Sequence, residues 1–479
     1  MQSIKNNHSF RRAFPFYVLL FFISIIIPPV LVHFNPPFVF CVSSDLLQSY
    51  FKLFLTTTTV LFLIIYFIHF RNIFHEPLLE ILPVIVPILV LLNILYQMNQ
   101  FPQKSFDYEC YENAAKAIVA GENPYAYKQR PYIYPPLVAW IMALEHNLFE
   151  KLPLETDANQ KEDVSWVLVA YFHQCGQFIS ILLAYYLCYC FLRSGGVDNF
   201  WASLVTGGIL LFNTPLMMTL RLSQVNVWVL DLILLTILLQ AKYPSLGGIS
   251  IAIGAHIKLF PLILLIPATL KKKFATLFAT ILTFFFIIGI QTGFGTNLGM
   301  WRDYIISISA YLGKRDPYGT GLYSIAHYCL KGPFWLFGID QRWQDPVTKI
   351  AILMLVIAIA IIFVYRYILR EKAGKQDNEN PGLDTAGYTL SSHFIDATIF
   401  ILLISTVAWL HHYVLAIPAV LWAYATSSKE KHLILFILAF LIFCIPPLYI
   451  FPFKYIPFVA IVILAIKFPF TRLERLQEG

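Results

Sequence analysis

Two carboxylates two residues apart, Asp107 and Glu109, open a stretch of polar and aromatic residues. It runs through Tyr111 and Asn123-Pro124-Tyr125 to Tyr134-Pro135-Pro136. A carboxylate held within hydrogen-bond reach of a hydroxyl acts as a general base toward an alcohol, so either acid is a candidate base. Tyr111, Asn123, Tyr125 and Tyr134 in the same stretch are candidate substrate-binding residues. Other polar residues interrupt apolar surroundings further on. Lys258 lies mid-way along an apolar run, where an ammonium is costly and usually functional. It suits a phosphate, or it snorkels to the interface. Arg221, at the end of a run, is a second cation that reads equally as a topological charge. His411 and His412 fall in a tight turn, where one of them suits a phosphate or sugar oxygen. Gln224 and Asn226 are amides at a helix start, fit to bind hydroxyls, to cap the helix or to join helices.

The elements that must position these residues are membrane helices. The chain has 479 residues, 58% hydrophobic and 13% charged, against roughly 25% charged in soluble domains. Its mean hydropathy is +0.68. Apolar runs of about 20 residues match a bilayer core about 30 Å thick. They cover about 14–34, 51–70, 78–98, 164–192, 200–221, 225–241, 246–270, 274–294, 347–369, 394–409, 411–426, 433–451 and 453–468. The fold class is therefore an all-α polytopic membrane protein, with about 12–13 transmembrane helices and large outer loops. Its parts are N-terminal helices (1–98), an outer catalytic loop with interfacial helices (99–163), a transmembrane core (164–294), a second outer loop (295–346) and C-terminal helices (347–479).

Positive residues favour the cytoplasm. Lys5, Arg11 and Arg12 place the N-terminus inside, with a retained first helix rather than a cleaved signal. The Asp107 stretch then lies outside as a loop, followed by a surface stretch of helical spacing (Tyr111, Ala114, Ala115, Ile118, Val119) that Gly121 ends. Segment 132–149 reads as a helix along the outer surface, though its length leaves crossing open. Segment 246–270 has cytoplasmic-type charge at both ends, Lys242 and Lys271-Lys272-Lys273. A hairpin of two half-length helices accounts for that, and a single span is the alternative. Residues 370–393 read as a flexible cytoplasmic loop. The seven cysteines are scattered and read as small buried hydrophobes. No phosphate-binding glycine loop, dinucleotide fingerprint, zinc-protease helix or serine-hydrolase elbow is present. The net charge of +7 sits at helix ends and does not point to nucleic acid.

The polar elements, taken in order, resemble glycosyltransferase family 87, which acts with polyprenyl-phosphate-linked sugars. Asp107, Tyr111, Ala114, Ala115, Gly121, Asn123-Pro124-Tyr125 and Tyr134-Pro135-Pro136 resemble its first outer loop. Ser223-Gln224-Val225-Asn226 resembles its Gly-Gln-Val-Asn element. Ile257-Lys258-Leu259-Phe260-Pro261 resembles its Ile-Lys-Leu-x-Pro element. Ser405 to Trp409, His411-His412 and Pro418 resemble its late stretch. Two departures stand out: Gly319-Thr320-Gly321 occupies the region where the family often has Asn-Gln-Ser, and three apolar runs precede the Asp107 loop.

The resemblance implies a GT-C-type fold and a hexosyltransferase that moves a sugar, taken as mannose, from a polyprenyl-phosphate donor to a glycolipid or glycan acceptor on the outer face. It implies inversion, Asp107 as general base, and donor phosphate held by Lys258 with His411 or His412, Arg221 assisting. No metal or cofactor is called for, since positive side chains stabilise the leaving phosphate. Membrane lipids are the surroundings, and the expected location is the bacterial inner membrane. The alternative from another class is a secondary transporter or flippase of lipid-linked glycans, using Lys258 and Arg221 as buried substrate sites.

Overall fold

A computed structural model describes residues 105–126, 131–151, 158–295, 298–312, 319–338, 340–377, 385–405, 408–446 and 451–468. The expected spans 14–34, 51–70 and 78–98 lie outside the described residues. Every regular element among those described is helical. In chain order they are α1 (Phe106–Val119), α2 (Leu137–Phe149), α3 (Ala158–Ser194), α4 (Asn199–Leu211), α5 (Thr214–Arg221), α6 (Asn226–Leu239), α7 (Pro244–Ile257) and α8 (Leu265–Leu270). There follow α9 (Phe274–Gln291), α10 (Gly299–Leu312), α11 (Leu322–Leu336), α12 (Gln341–Asp377), α13 (Thr385–Ile404), α14 (Ile417–Thr426), α15 (His432–Phe443) and α16 (Ile456–Lys467). Short 3-10 turns at Phe260–Leu264, Leu410–Ala416 and Phe453–Tyr455 lie between them.

Among the described residues, three helices are long and apolar enough to cross a membrane: Val164–Ser194 within α3, Phe274–Gln291 (α9) and Arg342–Lys372 within α12. The pair α4 and α5 adds a fourth if its 53° bend is counted within one span. The protein is thus an integral membrane protein. The expected count of 12–13 full spans is not what the described residues show. Several apolar runs form helices of 10–14 residues, at most about 21 Å long at 1.5 Å per residue. Polar residues break the runs. Asn213 interrupts 200–221 because its Oδ1 accepts the Leu216 N–H at 2.8 Å and caps a new helix, with Pro215 in its first turn.

The Asp107 stretch is not a loop. Ser105 caps α1, its Oγ accepting the Tyr108 N–H at 3.2 Å, so both acids fall in the first helical turn, where the helix dipole favours them. Nor does the stretch lie on the surface, since Tyr111, Ala114 and Ala115 are buried against α2. The same Ser105 hydroxyl donates to the Leu222 carbonyl at 2.6 Å and ties α1 to the turn after α5. Gly121, at φ +72°, ends the helix region as expected. Segment 132–149 yields only the 13 residues of α2, about 20 Å and too short to cross.

The hairpin reading of 246–270 is the one the geometry supports. Thr280 Oγ1 donates to Gly248 O at 3.0 Å, and His256 Nε2 bonds Phe284 O at 3.0 Å. Going from Gly248 to His256 along α7 thus goes from Thr280 to Phe284 along α9, so the two helices run side by side in the same direction. Since α9 starts at Phe274, the intervening chain must return to the level where α7 began. α7 stops at Lys258, whose backbone is extended (φ −156°, ψ 134°), and residues 260–270 come back. The two arms press together where a Cβ on Gly254 would stand 2.9 Å from Pro261 Cγ.

At the base of this hairpin, residues 370–393 depart most from expectation. Their described parts are helical: α12 runs on to Asp377 and α13 begins at Thr385. Arg366 and Arg370, one turn apart on α12, both reach Asp396 of α13, at 2.7 and 2.6 Å. Arg366 also donates to Phe468 O at 2.9 Å and to Ala465 O. Glu371 pairs with Lys271 and, at 3.0 Å, with His393. All three members of the Arg366–Arg370–Asp396 group are buried. Removing one charge from a buried pair strands the other and costs about 3–5 kcal/mol. Asp396→Asn is accordingly expected to lower the thermal unfolding midpoint in detergent by several degrees, and an unchanged midpoint would show that the cluster does not hold α12, α13 and α16 together. The stretch 295–346 likewise contains helices, α10 and α11. Of the cysteines, Cys110, Cys188 and Cys444 are buried as expected, whereas Cys175 and Cys329 are exposed on apolar outer faces.

Candidate functional site

Five separate stretches converge on Lys258. The hairpin tip presents its ammonium nitrogen 2.8 Å from Asn226 Oδ1 and 2.8 Å from His412 Nε2. The ring of Tyr134 lies 5.5 Å away and that of Phe260 5.3 Å away, so aromatic faces offset part of the cost of burying a cation. Lys258, Asn226 and His412 are all buried.

Asn226 opens α6, and its orientation is fixed: Nδ2 donates to His411 O at 3.4 Å, which leaves Oδ1 toward Lys258. Gln224 is fixed in the same way. Its Oε1 accepts the hydroxyls of Tyr134 at 3.0 Å and Tyr111 at 3.3 Å, which turns its amide N–H toward the Asp107 carboxylate it hydrogen-bonds. Asp107 is half-buried. Burial raises its pKa above the ordinary carboxylate range, and the Gln224 hydrogen bond opposes that rise. Gln224 thus ties an acid on α1 to Tyr134, whose ring faces the hairpin cation. Glu109 is two residues further along α1, about 200° around the helix axis, and points away from that direction. The spacing of the two acids therefore separates them.

The turn that carries Gln224 is held in a costly shape. Ser223 adopts φ +51°, a left-handed conformation that favours glycine. Its carbonyl is held by His173 Nε2 at 3.0 Å, and the Gln224 carbonyl by Gln177 Nε2 at 3.2 Å. Both come from α3, one turn apart on a buried face. The sequence reading passed over them, although a His and a Gln four residues apart inside an apolar span were the available signal. Ser223→Gly is expected to keep the thermal midpoint at or slightly above wild type. Ser223→Val, β-branched in the same conformation, is expected to lose about 1–3 kcal/mol. A thermal shift measurement in which both variants behave alike would contradict the strain.

Of the two histidines left open, His412 is the one at Lys258. His411 packs its ring edge 4.4 Å from the ring of His412 and offers its backbone carbonyl to Asn226 and, at 3.2 Å, to Thr219 Oγ1. Arg221 ends α5, half-buried, beside the turn that carries Ser223 and Gln224. Tyr111 and Tyr134 line the centre. Asn123 and Tyr125 do not reach it: Asn123 Nδ2 donates to Asp303 of α10 at 2.7 Å, and Tyr125 OH donates to Tyr134 O at 3.0 Å. They fasten the α1–α2 connection to α10 and hold Tyr134 from behind.

A basic group, an acid and oriented amides in one aromatic pocket suit a reaction between an anionic leaving group and an alcohol. No curated protein matches the chain. The model of glycosyltransferase family 87 matches residues 132–380, just over half of the chain. The matched region takes in Tyr134, Arg221, Gln224, Asn226 and Lys258. Asp107 and His412 lie outside it and join the site through the contacts given above. The chain belongs to glycosyltransferase family 87.

Proposed function

We propose that this glycosyltransferase moves a hexose, taken as mannose, from a polyprenyl-phosphate-linked donor to a glycolipid or glycan acceptor. The observation that carries the reading is the placement of Lys258 at the tip of a hairpin, against the ring of Tyr134, whose hydroxyl, like Asp107, is hydrogen-bonded to Gln224. A lipid-linked sugar phosphate is amphiphilic. Its chain lies in the membrane, and its phosphate must meet a cation within the protein rather than in bulk water. Lys258, with His412 beside it and Arg221 near the same turn, supplies that cation. The leaving phosphate gathers charge in the transition state, and a preoriented cation stabilises it there. The GT-C architecture is in keeping with the helical fold and with family membership.

Asp107 takes the proton of the acceptor hydroxyl as that oxygen attacks the anomeric carbon. The C1–O bond to phosphate breaks, and its electron pair leaves with the phosphate oxygen. A base and a leaving-group cation on opposite sides of the sugar give inversion. The positive residues at the Lys271 end, with the inside preference of such residues, support a reading in which Asp107 works on the outer face of a bacterial inner membrane.

Purified protein in lipid nanodiscs, offered polyprenyl-phosphate-mannose and in parallel a nucleotide-activated mannose, tests the donor. Transfer from the lipid donor alone, with an anomer opposite to that of the donor, is the expected result. Transfer from the nucleotide sugar would refute the donor class, and a retained anomer would refute the single-displacement mechanism.

A further inference from the structure

The hydrogen bonds around His412 assign a proton. Trp409 donates its backbone N–H to His412 Nδ1 at 3.0 Å. A backbone amide has no acceptor capacity, so Nδ1 is the lone-pair nitrogen of the ring and the imidazole proton resides on Nε2. That Nε2–H faces Lys258 Nζ at 2.8 Å. An ammonium has three donors and no acceptor, so it cannot bond an N–H at that distance. An amine can: its lone pair accepts from His412 Nε2–H while one of its own protons goes to Asn226 Oδ1, which the Asn226–His411 bond turns to receive it.

We propose that Lys258 rests as a neutral amine bonded to His412, and that the centre takes up one proton together with the donor's phosphodiester anion. This deepens the donor reading given above and rests on it. The phosphate oxygen takes His412 Nε2–H as its donor, Lys258 gains the proton and becomes ammonium, and both then point at the phosphate. During transfer the C1–O bond breaks with its electron pair on the phosphate, whose charge goes from −1 to −2. Asp107 receives the acceptor proton as the new C1–O bond forms. The proton on Lys258 already stands beside the added charge. Release of the phosphomonoester returns that proton to solvent, and Asp107 returns its own.

The groups facing the pair fit this balance. From α1 come Asp107, whose direct partner is Gln224 rather than Lys258, and Tyr111. Tyr134 faces it from the chain before α2, and His411 from the 3-10 turn. Arg221 ends the neighbouring α5. On α7 itself His256 is committed to Phe284 O on α9. His146 on α2 stacks on Trp166 at 4.2 Å, and Glu145 on α2 acts on Tyr108. The charged groups of α13 sit in the Arg366 cluster at the other end.

The test is calorimetric binding of mannosyl-phosphocitronellol to the full-length protein in detergent, at about pH 8, in buffers of different ionisation enthalpy. This probe is a phosphodiester with no titration of its own near neutrality. The expected result is uptake approaching one proton per probe bound, with affinity falling up to about tenfold per pH unit above the pair's midpoint. Lys258→Arg, which keeps its charge throughout, should bind without uptake and with affinity flat in pH. His412→Leu removes the facing N–H, so Lys258 is charged beforehand and uptake falls; it serves if the arginine variant does not fold. Binding without proton uptake by the wild type would overturn the inference and leave the transferase reading standing. Failure of the probe to bind at all would overturn both.

Discussion

Lys258→Met is expected to reduce sugar transfer about 10²–10³-fold, the effect of removing one preorganised group that stabilises a developing anion. Methionine keeps the length and apolar stem of lysine, so the hairpin tip retains its packing against Phe260 and Tyr134. The change removes the group facing Asn226 Oδ1 and His412 Nε2 without opening a cavity. The loss should appear in kcat more than in KM, because the cation acts most on charge that develops as the C1–O bond breaks. A KM-only effect, measured with saturating lipid donor, would recast Lys258 as a residue that only binds ground-state phosphate. Lys258→Arg restores charge but not shape, and a bulky fork in a pocket closed by two aromatic rings is expected to recover little.

Asp107→Asn is expected to cut transfer about 10²–10⁴-fold, the range for loss of a general base, while donor binding is retained. Its pH dependence carries a second expectation. The active form is the carboxylate, and burial raises the pKa of that group in the folded protein. Activity should therefore rise with pH along a limb displaced upward from the ordinary aspartate range. Gln224 donates to the charged form and holds the pKa down. Gln224→Leu should move the limb to higher pH, and a limb that stays in place or moves down would show that another group is the base.

Much of the site was legible in the sequence for one physical reason. Polar groups inside apolar runs are costly, so Lys258, Gln224, Asn226 and the two histidines stood out. The hairpin was legible because Lys242 and Lys271-Lys272-Lys273 carry the same topological sign at both ends of 246–270. Partners distant in the chain were not legible. Asn123 looked like a sugar ligand because its partner, Asp303, is 180 residues away. The grouping of Arg366 and Arg370 with Asp396 has no local signal, because they meet only when α12 and α13 pack. Asp107 read as part of a loop because a single residue, Ser105, caps its helix, and that helix then separates Asp107 from Glu109 by just over a half-turn. The Ser223 turn was recognised as an element, but its φ of +51° explains why the family pattern has glycine there.

The central claim is that Asp107, hydrogen-bonded to Gln224, is the base of a lipid-donor sugar transfer. The most direct measurement is radiolabelled mannose transfer from polyprenyl-phosphate-mannose in membranes of matched expression, comparing wild type, Asp107→Asn and Glu109→Gln. Transfer lost in Asp107→Asn and kept within about threefold in Glu109→Gln, a change of less than about 1 kcal/mol, is the predicted result. Transfer kept in Asp107→Asn and lost in Glu109→Gln would contradict it and move the chemistry to the other side of α1.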